Sequence, residues 1–154
     1  MGGLVAGGRG YSGFLYAGLV IDERGGANVL EFNVRLGDPE TQPIMLRLAS
    51  DPVALLCAAL DGTLAEQSVE WDPRPSVGVV LAAGGYPGAY DRGHVIQGLD
   101  AAAAQPGKVF HAGSALNADG EVVTAGGRVL CASPLAYDIL RAYQAPYVLS
   151  GCLD

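Results

Sequence analysis

Lysine is nearly missing from this chain. Lys108 is the only one in 154 residues, and nine basic residues face sixteen acidic ones, for a net charge of −7. The basic footprint that neutralises nucleic-acid phosphates is therefore lacking, and nucleic acid is not an expected partner. Histidine is almost as scarce. His94 and His111 have no serine or cysteine elbow near them, so a nucleophile–base pair lacks support and each reads as a structural or surface residue. The three cysteines, Cys57, Cys131 and Cys152, are odd in number, widely spaced and without a Cys-x-x-Cys. That pattern argues against a disulfide scaffold or a zinc site and for free thiols in a reducing cytoplasm. Cys57 and Cys131 stand in apolar runs and are expected to be buried. No apolar run approaches the roughly 20 residues of a membrane span. No basic segment with a signal-type apolar run follows Met1 either, so the expected location is cytoplasmic, away from membranes.

Hydrophobic residues make up 50% of the chain, which suits one domain with a real core, or one with a small appendage. Glycine is plentiful, and five of the first ten residues are Gly2, Gly3, Gly7, Gly8 and Gly10. No Gly-Lys-Ser/Thr follows and no strand precedes them, so the phosphate-loop and dinucleotide patterns both fail. The segment reads as a connector.

The densest polar stretch is residues 28–43. Val29, Leu30, Phe32 and Val34 favour a strand, while Glu31, Asn33 and Arg35 recur at period two. On a strand those three point to one face, with neighbours about 7 Å apart. Two hard oxygen donors beside a guanidinium suit a magnesium–phosphate complex, although a solvated polar strand face gives the same periodicity. Gly37-Asp38-Pro39-Glu40 adds a turn with two more carboxylates. With Asp22 on the preceding strand, five ionisable residues gather in a chain that is only 16% charged.

Around this stretch the pattern is mixed. Residues 11–21 read as a strand that pairs antiparallel with 28–35 across a turn at 22–26. Residues 41–48 read as a short helix with Ile44, Met45 and Leu48 on one face. Ser50 or Asp51 can cap a second helix, Pro52 suits its first turn and Gly62 closes it, with Val53, Leu56, Cys57 and Leu60 as the expected buried stripe. From residue 63 the texture becomes short strands between glycines and prolines: 77–83, 94–96, 108–111, 122–123 and 128–131, after a corner at 69–75. The Gly84-Gly85 and Gly126-Gly127-Arg128 segments read as hairpin turns. Residues 133–144 can form a helix, with Leu135, Ile139, Leu140 and Tyr143 at helical spacing and Pro146 as its stop.

The run from Gly13 to Asp22 and then Val29-Leu-Glu-Phe-Asn-Val-Arg-Leu-Gly-Asp-Pro-Glu-Thr-Gln-Pro-Ile44 resembles the phosphoribosylamine–glycine ligases of the ATP-grasp superfamily. The resemblance continues in order through Val69-Glu-Trp-Asp-Pro-Arg74, Gly78 to Gly88, Gly107 to Gly113 and Val122 to Cys131. It covers only the C-terminal part of such an enzyme, and the tail after Cys131 is expected to depart from the family. The implied fold is α+β: residues 1–65 as the end of an ATP-grasp core, an antiparallel hairpin plus helices, and 66–154 as a small β-rich lobe. The implied activity is ATP-dependent joining of glycine to 5-phosphoribosylamine in purine biosynthesis, with magnesium or manganese. Carried over by position, Glu31 and Asn33 are the metal ligands. Arg35 is the catalytic candidate that steadies a phosphoryl or carboxylate group. Asp38, Glu40 and Thr41 fall on the substrate side. The family's N-terminal domain, nucleotide lid and adenine pocket are absent from this sequence, so the chain alone is expected to be inactive. A separately encoded N-terminal half is one implied partner. The alternative is a non-catalytic remnant or an interaction module that completes a split enzyme. A different ATP-grasp ligase is disfavoured by the 37–43 run and the Trp71 to Gly88 segment.

Overall fold

A computed structural model describes Gly8 and residues 10–150, and these form two compact units. The first is Met1–Asp38 with Ala49–Glu70, and the second is Pro39–Leu48 with Trp71–Asp154. Pro39–Leu48 thus groups with the later residues although it precedes Ala49–Glu70 in the chain.

In the first unit, β1 (Tyr16–Ile21) pairs antiparallel with β2 (Ala27–Asn33), Tyr16 opposite Asn33 and Ile21 opposite Ala27. The hairpin is real but shorter than its apolar pattern. Pairing begins only at Tyr16, and before it Tyr11 donates its hydroxyl to the Phe14 carbonyl at 2.7 Å. Residues 34–35 bend away from the strand. The turn is built by Asp22, whose Oδ1 accepts from the Arg24 and Gly26 amides at 2.9 and 2.7 Å. This corrects its place in the acidic cluster: the carboxylate belongs to the hairpin tip, several strand residues from Glu31.

Helix α1 (Thr41–Arg47) belongs to the second unit, whereas α2 (Pro52–Leu60) belongs to the first. Asp51 caps α2, accepting from the Val53 amide at 2.8 Å, and Pro52 takes the first turn. The expected buried stripe is contradicted. Val53 and Leu60 are 63% and 81% exposed, Leu56 and Cys57 are exposed too, and Ala58 alone is buried. The sequence Pro-Val-Ala-Leu-Leu-Cys-Ala-Ala-Leu is apolar all round, so spacing cannot select an inner face, and the small residue faces inward.

The second unit owns the core. β3 (Val79–Ala82), β7 (Arg128–Ser133) and β4 (Lys108–His111) make an antiparallel sheet in the order β3-β7-β4. As the middle strand, β7 is covered on both faces, and Val129 through Ser133 are all buried. Ser133 is the polar exception, its hydroxyl lying 3.1 Å from the Ser76 hydroxyl and donating to the Val77 carbonyl at 3.2 Å. Helix α3 (Leu99–Ala103) packs on β4 through the buried Ala102. A second ribbon joins β5 (Ser114–Leu116) to β6 (Val122–Thr124).

Three expectations change here. Residues 94–96 form only a bridge, Val95 to Val123, because their backbone hydrogen-bonds along the edge of β6 instead of entering a ladder of its own. The 133–144 helix begins later: Ser133 ends β7, and α4 runs Ile139–Ser150. Pro146 does not stop α4 but lies inside it. Pro146 and Ala142 are fully buried and α4 packs on β7 and β3, so tertiary burial outweighs the hydrogen bond that proline forfeits. Ile139 and Leu140, expected on the inner stripe, are exposed. The side chain of Tyr143 and the whole of Cys152 lie outside the described residues.

Gly127 shows how tightly the β7 end is packed. A methyl group there would lie 2.7 Å from Tyr86 Cε2 and 3.1 Å from Tyr90 Cε1. Gly127→Ala is therefore expected to cost about 1–3 kcal/mol in urea unfolding, the scale of overpacking. An unchanged midpoint would mean that the two tyrosines move aside freely.

Asp72 accepts from Arg74 Nε at 2.9 and 3.2 Å through its two oxygens, from Arg74 Nη2, and from the Arg74 amide at 2.9 Å. These bonds, the side-chain pair first, lower its carboxyl to about 2. A lowered native value means that the stabilisation is complete above about pH 4, the ordinary carboxylate range, and fades as pH falls towards 2. Thermal melts should therefore separate wild type from Asp72→Asn at pH 5, with the two converging by pH 2. A gap that persisted at pH 2 would contradict the ion pair.

Candidate functional site

On β2, Glu31 stands opposite Gly18 and Asn33 opposite Tyr16, two residues apart on the same strand. They share one face, as their spacing requires. Just before them the register slips: Gly18 pairs with Glu31 but Leu19 with Val29, leaving Leu30 as a bulged residue. Gly18 also clears space across the ribbon, since a Cβ there would lie 3.1 Å from Glu31 Cγ. Glu31 is exposed and Asn33 half-buried.

Arg35 lies beyond the strand that carries them. It lies in the bend past the strand end, where its Nη1 donates to the Leu36 carbonyl at 3.0 Å, so strand periodicity no longer sets its direction. Asp38 ends the first unit in a turn and is exposed. Glu40 and Thr41 fall in the second unit, Glu40 as the residue that caps α1 and Thr41 as its first residue. Glu40 makes no side-chain cap; its carbonyl accepts from the Ile44 amide at 3.3 Å.

Glu31 and Asn33 fit a hard divalent cation as a partial donor set. Both offer oxygen, neither is a soft ligand, and Glu31 is exposed. Among the described residues no group of three His, Cys, Asp or Glu could enclose a metal by itself. Such a cation would thus need ligands from bound phosphates and water, the usual arrangement for magnesium.

Among its described residues the second unit carries two concavities and an arginine–tyrosine cluster. One groove of about 560 Å³ is lined by Glu40, Pro43, Ile44, Arg47, Trp71 and Ser76. Arg47 is held there, its Nε donating to the Asp72 carbonyl at 3.2 Å. The neighbouring Gln42 has a buried Oε1 without a hydrogen-bond partner among the described residues. A cavity of about 460 Å³ lies between the β3–β7 ribbon and Asp91, His94 and Thr124. Sequence reasoning missed the cluster of Tyr86, Tyr90, Arg92 and Arg128. Arg128 Nε donates to the Tyr86 hydroxyl at 3.1 Å, the Arg92 guanidinium lies 5.6 Å from the Tyr90 ring centre, and the two rings meet edge to face at 6.2 Å. The two Gly-Gly turns, read singly as hairpin turns, were the available signal: Ala83 donates to the Gly127 carbonyl at 2.8 Å, so the pairing of β3 with β7 brings them together. His111 does have a serine nearby, with its Nδ1 2.8 Å from Ser114 Oγ. Among the described residues no carboxylate orients the ring, and Ser114 sits on a strand rather than an elbow.

Residues 1–41 match the family model described as phosphoribosylglycinamide synthetase, ATP-grasp (A) domain, and residues 76–151 match that of its C domain. The hairpin with Glu31 and Asn33 therefore lies within ATP-grasp sequence, and β3 to β7 lie within C-domain sequence. The chain belongs to the phosphoribosylglycinamide synthetase family and carries its C-terminal part. The C-domain match runs through residue 151, well past Cys131, where departure from the family was expected.

A phosphoribosylamine–glycine ligase from Pseudomonas aeruginosa is 59% identical over 148 residues, which are 96% of this chain and 34% of that relative. One from Salmonella typhimurium is 56% identical over 147 residues, with the same shares. The chain thus spans about a third of the length of the curated relatives it matches. The crystal structure of the Thermotoga maritima phosphoribosylamine–glycine ligase superposes with a TM-score of 0.77 at 37% identity, over 99% of this chain and 37% of that one. N5-carboxyaminoimidazole ribonucleotide synthetase from the same organism shares the fold, with a TM-score of 0.60 at 16% identity over 93% of this chain and 37% of that one.

Proposed function

We propose that this chain supplies the metal-binding strand and the C-terminal lobe of a phosphoribosylamine–glycine ligase. In that enzyme ATP drives formation of the amide between glycine and 5-phosphoribosylamine. Residues 1–65 would be the end of the ATP-grasp domain and 66–154 the β-rich lobe, working in the cytoplasm. The observation that carries this reading is the placement of Glu31 and Asn33 on one face of β2, two residues apart, with Glu31 opposite Gly18, within a segment that matches an ATP-grasp domain.

The reaction brings an anionic carboxylate against an anionic phosphate, so its central difficulty is charge repulsion. Glu31 and Asn33 would hold magnesium, with manganese as a substitute, and the cation would supply charge neutralisation on the transferred phosphoryl group. Arg35 adds a fixed guanidinium suited to a phosphoryl or carboxylate oxygen. Asp38, Glu40 and Thr41 are assigned to the substrate side, where carboxylates and a hydroxyl suit the ammonium and hydroxyl groups of glycine and the aminosugar.

The test joins this chain to the other two thirds of the Pseudomonas aeruginosa relative, either fused or mixed as a separate polypeptide. Release of ADP that depends on both glycine and phosphoribosylamine is expected from the reconstituted enzyme, and no turnover from the 154-residue chain alone. Robust glycine-dependent ADP release by the isolated chain, or a folded reconstituted enzyme without turnover, would overturn the reading.

A further inference from the structure

We propose that the second unit holds a binding site for a sugar phosphate. Arg92 and Arg128 take the phosphate, and the cavity bounded by Asp91, His94 and Thr124 takes the sugar. The identity of that ligand as the phosphorylated pentose substrate rests on the ligase reading above.

The phosphate end starts from charge. The chain carries a net −7 and only nine basic residues, yet two of its arginines share one cluster with two tyrosines. Arg128 is exposed but held. Its Nε donates to the Tyr86 hydroxyl at 3.1 Å, and its guanidinium carbon lies 6.0 Å from the centre of that ring. Arg92 is exposed beside Tyr90, and among the described residues its guanidinium has no carboxylate partner. Both tyrosines rest against Gly127, which has no side chain to push them away. Leu81 pairs with Leu130 and Ala82 with Arg128, so Val129 is a bulged residue, and a bulge re-aims the side chains beside it. A guanidinium fixed in this way loses little freedom on binding, and its planar fork matches the oxygens of a phosphate.

The cavity adjoins the cluster along the chain itself. Asp91 lines it and precedes Arg92, and Val129 lines it and follows Arg128. Its volume of about 460 Å³ falls within the range of about 300–1,000 Å³ typical of small-molecule sites. Leu81, Val129 and Leu130 form an apolar wall, while Asp91, His94 and Thr124 supply polar groups. Thr124 is fixed, its Oγ1 accepting from the His94 amide at 3.1 Å and its own amide donating to the His94 carbonyl at 2.8 Å. A carboxylate accepts from sugar hydroxyls, and a hydroxyl or a neutral imidazole can both donate and accept. The Asp91 charge also repels a bare anion from the cavity. The arrangement thus selects a ligand with negative charge at one end and hydroxyls at the other.

The test uses the 154-residue chain and ribose 5-phosphate, followed by NMR of the ligand. Saturable binding is expected at millimolar concentration, with ribose itself not binding and inorganic phosphate competing. Arg128→Gln and Arg92→Gln should each weaken both ribose 5-phosphate and inorganic phosphate about tenfold, the scale of losing one charge-assisted bond. Arg92 makes no side-chain hydrogen bond among the described residues, so that variant reports even where Arg128→Gln disturbs the fold. Asp91→Asn should weaken ribose 5-phosphate and spare inorganic phosphate, although it removes a negative charge that opposes any anion.

Absence of saturable binding overturns the site, as does binding that neither arginine variant weakens. Inorganic phosphate bound as tightly as ribose 5-phosphate, with Asp91→Asn without effect on either, is an adventitious ion only and also overturns it. The reconstituted ligase separates this site from the reading of the whole enzyme. There Arg128→Gln should raise the KM for phosphoribosylamine about tenfold and leave those for glycine and ATP unchanged. Turnover with an unchanged KM for phosphoribosylamine in both arginine variants overturns the site and leaves the ligase reading standing. Ribose 5-phosphate bound as described, with no turnover, upholds the site and removes the ligase reading.

Discussion

Leu130→Ala is expected to lower the unfolding free energy of the second unit by about 2–5 kcal/mol, the range for truncating a fully buried leucine. Leu130 is 2% exposed at the middle of β7, paired with Leu81 on one side and His111 on the other. The strands around it leave little freedom to close the cavity, which places the effect towards the upper part of that range. Leu60→Ala removes the same atoms from a side chain that is 81% exposed, and should change stability by no more than about 0.5 kcal/mol. Urea unfolding followed by circular dichroism, with the slope unchanged, compares the two directly. Equal losses would place the interior elsewhere than around β7. The contrast predicts that the second unit is a stable platform in the isolated chain while the β1–β2 ribbon is not.

The same contrast explains what could be read from sequence. The α+β character, the hairpin, a cap at Ser50 or Asp51 and the strands at β3, β4, β6 and β7 are legible because local chemistry dictates them: β-branched runs, a cap with a proline behind it, and glycines at turns. The errors arose where partners decide. The α2 stripe was placed inside on periodicity, yet a helix apolar on every side carries no information about which side is covered. A proline removes one hydrogen bond and so predicts a stop at Pro146, but the residue is buried and α4, which packs on β7, runs through it. The α3 helix went unseen since Leu-Asp-Ala-Ala-Ala is too short to show a period, and β5 because three residues cannot alternate convincingly.

For the candidate site, period two placed Glu31 and Asn33 together, and the strand keeps them so. It could not foresee that the strand ends at Asn33 and releases Arg35 into a bend, nor that Asp22 closes the hairpin turn at the opposite end. Density of charge in sequence is thus a poor guide to density in space. Of the five ionisable residues that seemed to gather, Glu31 alone stands on the strand face with Asn33.

In the reconstituted ligase, Glu31→Gln is expected to reduce kcat by about 10² to 10³, the scale on which one group stabilising transition-state charge acts. The change is nearly isosteric and the residue is exposed on β2, so stability should barely move and a folding defect should not mimic the loss. Removing one negative charge from the donor set also weakens the cation. Raising magnesium should therefore recover part of the activity, and the metal dependence should shift to higher concentration. Gly18→Val acts on the same carboxylate from across the ribbon, because a branched side chain would occupy the space where Glu31 Cγ now lies 3.1 Å from an added Cβ. Its expected signature is the same rightward shift in metal dependence with the Glu31 charge intact. Titrating magnesium against ADP release for wild type, Glu31→Gln and Gly18→Val decides the matter. If all three curves have one midpoint, Glu31 is a solvated strand residue and the metal is held elsewhere. If both variants shift it, the bulge and the glycine exist to aim that carboxylate.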